Sequence, residues 1–129
     1  MATGLDNLKI YKIAEDLEIE VHEITAKFPK DEIFRSVDQL RRSSSSVSNN
    51  IAESYHKSTT KEKIRFLNIA NGEAEETKRG ILKSARKKFL SEEIANSIAE
   101  KYTILLKSTN SFIRYLNLKE VDKSIKTIK

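Results

Sequence analysis

The sequence predicts an all-α fold, an antiparallel up-down-up-down four-helix bundle. Four segments place apolar residues at three- and four-residue steps, the recurrence of an amphipathic helix. The stops between them are short, so each helix must run back alongside the one before it. The 129 residues hold only three Gly and one Pro, fewer turn residues than a strand-rich fold of this length needs. That length suits one domain spanning 1–129.

The first helix is expected over about residues 6–28, with Ile10, Ala14, Leu17, Val21, Ile24 and Phe28 on its apolar face. Pro29 ends it, because proline lacks the amide proton and clashes with the preceding turn. The second is expected over about 31–56, carrying Phe34, Val37, Leu40, Val47, Ile51 and Tyr55. Its middle, RRSSSSVSNNIAES at residues 41 to 54, has the composition of a loop, since Ser and Asn compete with the helical backbone for hydrogen bonds. Phase decides the matter. At about 100° per residue Ser44 and Ser48 fall on the stripe of Leu40, Val47 and Ile51, and a loop has no reason to preserve that register. The stretch therefore reads as helix interior, with the two hydroxyls bonding back to the carbonyls of Leu40 and Ser44.

The third helix, about 60–88, opens on the capping box Thr59-Thr60-Lys61-Glu62 and carries Leu67, Ala70, Ala74, Ile81 and Ala85. Gly72 inside it is expected to permit a close helix contact. The fourth, about 92–117, opens on Ser91 followed by Glu92 and Glu93, acids that suit the positive end of a helix dipole. Ile94, Ile98, Leu105, Phe112 and Leu116 form its face. Residues 118–129, LKEVDKSIKTIK, read as a basic, weakly patterned tail.

Composition removes several kinds of chemistry. Without cysteine there is no disulfide framework, zinc–thiolate site or thiol nucleophile. The N-terminal residues lack a secretory pattern and no apolar run is long enough for a membrane span, so a cytoplasmic protein with no membrane partner is expected. The net charge of +5 is uneven. Residues 1 to 29 carry three basic and six acidic side chains, while residues 59 to 90 carry nine basic and four acidic. Such a field can draw a polyanion to one face.

The basic candidates lie on the third helix. Lys61, Arg65, Arg79, Lys83 and Arg86 project within a sector of roughly 40 to 60°, opposite the Leu67, Ala74 and Ile81 face. A cationic stripe suits phosphate contacts, because each neutralised phosphate releases counterions. The competing reading is a solvated face, with Glu62 and Glu76 in reach of Arg65 and Arg79. No aromatic cluster accompanies the stripe, so contact with RNA or DNA is expected to be non-specific. Arg41 sits near the edge of the core stripe and reads as a subunit-interface residue or a partner in an intrahelical ion pair.

Catalytic and cofactor readings are weak. Glu53 and His56 have the Glu-x-x-His spacing of di-iron bundles, but that architecture needs a second such pair, and Ile19 stands three residues before His22, the other histidine. The glycines form no phosphate loop, and no serine has a base with a supporting third group nearby in sequence. No enzyme activity, metal or cofactor is expected. A structural scaffold remains the rival to nucleic-acid binding, and it would bury Ala52, Phe66 and Ile69 between subunits.

IYKIAEDL, FPKDE, QLRRSSSSVSNNIAES, TTKEKIRFLNIANGEAEE and FLSEE follow one another in the order of the signature blocks of a known family. Over about residues 8 to 116 the chain resembles the bacterial four-helix bundle family, also called the 23S rRNA intervening-sequence proteins. The resemblance is most specific at Gln39, Arg41 and Arg42, at Asn50-Ile51-Ala52-Glu53, and at Ile64-Arg65-Phe66-Leu67 with Ile69, Ala70 and Gly72. It departs from the pattern at Ser48, Ser54, Asn71 and Glu73. The resemblance implies a cytoplasmic homo-oligomer, with a pentameric ring as one form, and a non-catalytic role near nucleic acid. Distant relatives serve reverse transcriptases of diversity-generating retroelements, so a reverse transcriptase or other nucleoprotein is an implied partner.

Overall fold

The computed structural model describes residues 4, 5 and 8–128, with side chains to residue 126. Its elements are α1 (Lys9–Thr25), a single 3-10 turn (Lys30–Glu32), an irregular turn (Ile33–Val37), α2 (Asp38–His56), α3 (Thr60–Arg86) and α4 (Glu92–Ile128). No strand occurs among the described residues. Each helix packs against the next in sequence and α4 returns to α1, which closes the up-down-up-down bundle.

Most of the core lies where the helical period places it, although Tyr55, expected on the same face of α2, is exposed. Ile10, Ala14, Leu17 and Val21 of α1 meet Leu40, Val47 and Ile51 of α2, Leu67, Ala70, Ala74, Ile81 and Ala85 of α3, and Ile98 and Leu105 of α4. Burying a side chain the size of Leu or Ile stabilises by about 1.5–3 kcal/mol relative to leaving it exposed, so this shared face dominates the fold. The serine run is helical, and Ser43, Ser44, Ser48 and Ser54 are all buried. Their back-bonds reach three residues rather than four: Ser44 Oγ donates to the Arg41 carbonyl and Ser48 Oγ to that of Ser45. Ser48 also donates to Glu18 Oε1 at 2.6 Å, and so ties α2 to α1.

The helix starts follow the expected caps in part. The Thr59 hydroxyl accepts from the Glu62 amide at 3.2 Å and the Ser91 hydroxyl accepts from the Ile94 amide at 3.1 Å. The reciprocal half of the Thr59 box is not made, because the Glu62 carboxylate turns to Arg65.

Several expectations are corrected. The start expected near residue 6 lies outside the described residues. α1 ends at Thr25, where the Thr25 hydroxyl donates to the Val21 carbonyl and the following amides of Lys27 and Phe28 bond only three residues back. A regular second helix begins seven residues later than expected, at Asp38. Arg35 has φ −122° and ψ −105°, which breaks the helical phase and leaves Phe34 91% exposed instead of in the core. Ile94 is exposed too, and its neighbour Ala95 fills the core position. Residues 118 to 128 are no tail: α4 continues through them to Ile128, carrying exposed Leu118, Val121 and Ile125.

The close contact assigned to Gly72 belongs to Gly80. A Cβ on Gly72 would meet nothing within 4 Å, whereas one on Gly80 would lie 2.8 Å from Leu40 Cδ2. α2 and α3 therefore approach closely at Gly80, and they share a buried bond there from Thr77 Oγ1 to Ser43 Oγ at 2.7 Å.

Candidate nucleic-acid interface

α3 turns its apolar face inward, and that orientation pushes its opposite face out. Lys61, Arg65, Arg79, Lys83 and Arg86 are all exposed. They do not form one continuous stripe. The fourteen residues from Arg65 to Arg79 rise about 21 Å along the helix, and Asn68, Gly72 and Glu75 occupy the sector between them.

The two halves differ in electrostatics. At the start of α3, Arg65 donates through Nε and Nη2 to Glu62 at 3.3 and 3.2 Å. The same guanidinium lies 4.5 Å from the centre of the Phe66 ring, which Lys57 approaches at 4.9 Å. This hydrogen-bonded arginine holds the Glu62 carboxyl below its ordinary range. The charge of Arg65 is thus largely answered within its own turn.

Among the described residues, Arg79, Lys83 and Arg86 make no ion pair. Glu76, expected to answer Arg79, instead accepts a hydrogen bond from Gln39 Nε2 of α2 at 3.4 Å. Beside it, burial and then the charge of Glu76 push the Glu73 carboxyl above its ordinary range. The seam between α2 and α3 is accordingly acidic at Glu73 and Glu76 and basic further along.

That basic end forms a groove of about 230 Å³. Arg79 and Lys83 of α3 and Lys87 just past its end line one wall, Gln39 of α2 and Ser36 of the turn before it line the other, and Leu40 and Gly80 lie between. Lys87 was not among the five candidates. It projects about 80° from Arg79 at 100° per residue, outside the chosen sector, although its i, i+4, i+8 spacing from Arg79 and Lys83 was the available signal.

The other candidates have intramolecular positions. Arg41 reaches α1, donating to Thr25 Oγ1 at 2.9 Å and to the His22 carbonyl at 3.2 Å. It makes this bridge between helices in place of the expected intrahelical ion pair. Ala52 and Phe66 are half-buried, the latter beneath Lys57 and Arg65, and Ile69 is 39% exposed. Glu53 pairs with Lys57 at 3.5 Å, and His56 packs edge-on against Tyr55. No three His, Asp or Glu side chains converge on a metal position among the described residues, nor is any helix there long and apolar enough to cross a membrane.

Residues 6–111 match the family model of the 23S rRNA-intervening sequence proteins. The chain belongs to that family. No curated protein matches it. A solved structure from Bacteroides thetaiotaomicron, a protein of unknown function from the S23 ribosomal protein family, has the same fold, with a TM-score of 0.73 at 23% identity. The alignment covers 81% of this chain and 97% of that one. Within the 23S rRNA-intervening sequence family match lie Arg41, Ala52, Phe66, Ile69 and all five basic candidates of α3.

Proposed function

We propose that this member of the 23S rRNA-intervening sequence protein family is a non-catalytic, homo-oligomeric accessory protein that binds nucleic acid through the basic face of α3. The observation that carries the reading is the exposed trio Arg79, Lys83 and Arg86, whose charge no acid answers among the described residues. Unpaired cations on one helix face attract phosphates without reading bases, so affinity depends on salt more than on sequence. The family's description as 23S rRNA-intervening sequence proteins makes RNA the first ligand to test. In an oligomer the trio repeats, and several weak contacts on one polymer add through effective concentration.

The test is a titration against RNA and DNA at two salt concentrations. Reversing Arg79→Glu and Lys83→Glu together weakens binding and flattens its salt dependence, while the mass in solution stays the same. No binding by the unaltered protein at low salt removes the reading.

A second reading has its own observation. Leu118, Val121 and Ile125 stand exposed at three- and four-residue spacing on the last turns of α4, a face suited to another helix. A pure assembly scaffold would use that face and leave the cations idle. An assembled protein that binds neither RNA nor DNA favours it.

A further inference from the structure

We propose that backbone phosphates of the nucleic acid seat in the groove between α2 and the C-terminal turns of α3, with Lys87 as a contact alongside Arg79 and Lys83. This deepens the nucleic-acid reading above and rests on it, moving the contact from the outer crest of α3 into the α2–α3 seam.

Three features carry the placement. Arg79, Lys83 and Lys87 succeed one another at one-turn intervals, which aligns three cations over about 12 Å of helix, and all three line the same groove. The hydroxyls around it already donate elsewhere, Ser36 to Glu32 Oε1 at 2.7 Å and Ser84 to the Gly80 carbonyl at 2.8 Å. The charged donors a ligand meets are therefore the cations, with the second amide proton of Gln39 beside them, which suits a charged phosphate. Lys87 is shared in part with the Phe89 ring, 6.0 Å away, which leaves its ammonium protons free for an acceptor.

The groove also has a defined end. Glu76 closes it on the side toward the middle of the bundle, with Glu73 next along the seam. A polyanion following the cations meets these carboxylates and turns outward, so the strand crosses the seam near Arg79 and does not run its full length. Lys61, at the far end of α3, is about 39 Å from Lys87 along the helix and lies off this path.

Affinity of the full chain for a labelled single-stranded RNA, at about 50 and 200 mM salt, tests the placement. Lys87→Gln weakens binding at low salt by roughly three- to tenfold and lowers the salt slope by about 1. Lys61→Gln changes affinity less than about twofold, and Glu76→Gln tightens it, because a neutral amide no longer repels the strand. Loss on Lys61→Gln with no effect of Lys87→Gln overturns the groove and leaves the crest of α3 as the contact. Failure of the unaltered protein to bind overturns the nucleic-acid reading itself. Inorganic phosphate serves as competitor: displacement no greater than that by chloride of equal ionic strength supports a backbone site. Displacement at micromolar phosphate assigns the groove to the free ion and overturns the proposal.

Discussion

Arg41 Nε donates to Thr25 Oγ1 across 2.9 Å, and with its second bond to the His22 carbonyl it fastens the C-terminal end of α1 to α2. The His22 carbonyl in the last turn of α1 accepts from the Ala26 amide, and the Arg41 side chain nineteen residues downstream adds a second donor. Thr25 spends its own proton on Val21, so its oxygen is free to accept. Arg41→Met is expected to lower stability by about 1 kcal/mol, the net worth of partly exposed charge-assisted bonds. Adding Thr25→Val should then cost less than it does alone, because the shared bond is already gone. Urea unfolding of the four proteins measures both, and strictly additive losses would show that the two residues are not coupled.

The two glycines of α3 should respond in opposite ways to alanine. Gly72→Ala is expected to stabilise by about 0.5–1 kcal/mol, since the added Cβ meets nothing and the backbone loses freedom only in the unfolded chain. At Gly80 the same gain is offset by displacement of buried Leu40, so the variant should be neutral or less stable. Equal gains in urea midpoint would mean that Gly80 is not what lets α2 and α3 approach.

Lys88 holds φ of 70° just past the end of α3, a left-handed position that costs an L-residue roughly 1–2 kcal/mol. The turn is a Schellman motif, in which the Phe89 amide bonds the Ser84 carbonyl at 3.0 Å, and glycine is its usual occupant. Lys88→Gly is therefore expected to raise the melting temperature, in line with about 0.5–1 kcal/mol once the glycine's extra unfolded-state freedom is counted. A lower melting temperature would show that the lysine side chain contributes more than its backbone costs.

Most of the core was legible because burial of a helix face is periodic, and period survives unusual composition. Ser44 and Ser48 are buried although serine-rich stretches usually form loops, since phase rather than residue type assigned them. What stayed hidden was set across helices. Nothing in the local sequence pairs Arg41 with Thr25, or turns Glu76 from Arg79 toward Gln39, because those partners lie 16 and 37 residues apart. Phe34 was misplaced for a different reason: projecting one phase through Arg35 assumes a regular backbone, and the irregular turn there rotates what precedes it. For the candidate site, charge density singled out α3, where Arg79, Lys83 and Arg86 stand exposed. The groove needed α2 for its second wall, so Lys87 could not be told from an ordinary surface lysine.

Tyr102 gives the prediction with the clearest pH signature. Its side chain is fully buried and its hydroxyl has no hydrogen-bond partner among the described residues, as is true of Thr109 one heptad further along α4. A buried polar group without a partner costs about 1–3 kcal/mol, so Tyr102→Phe, which keeps the ring, is expected to raise stability by roughly 1 kcal/mol at neutral pH. Burial, and after it the charges of Glu18 and Glu20, push the phenol well above its ordinary value. The unfolded chain releases that proton near pH 10 while the folded chain keeps it, so above that pH the unfolded state binds fewer protons and folding weakens. Below it, the full stability of the neutral form is present. The slope from this one residue is up to about 1.4 kcal/mol per pH unit. The Tyr102→Phe variant lacks it, so its advantage should widen between about pH 9 and 11, with the other tyrosines and lysines cancelling in the comparison. A constant gap in urea stability across that range would mean that the hydroxyl ionises as readily in the folded protein as in the unfolded one.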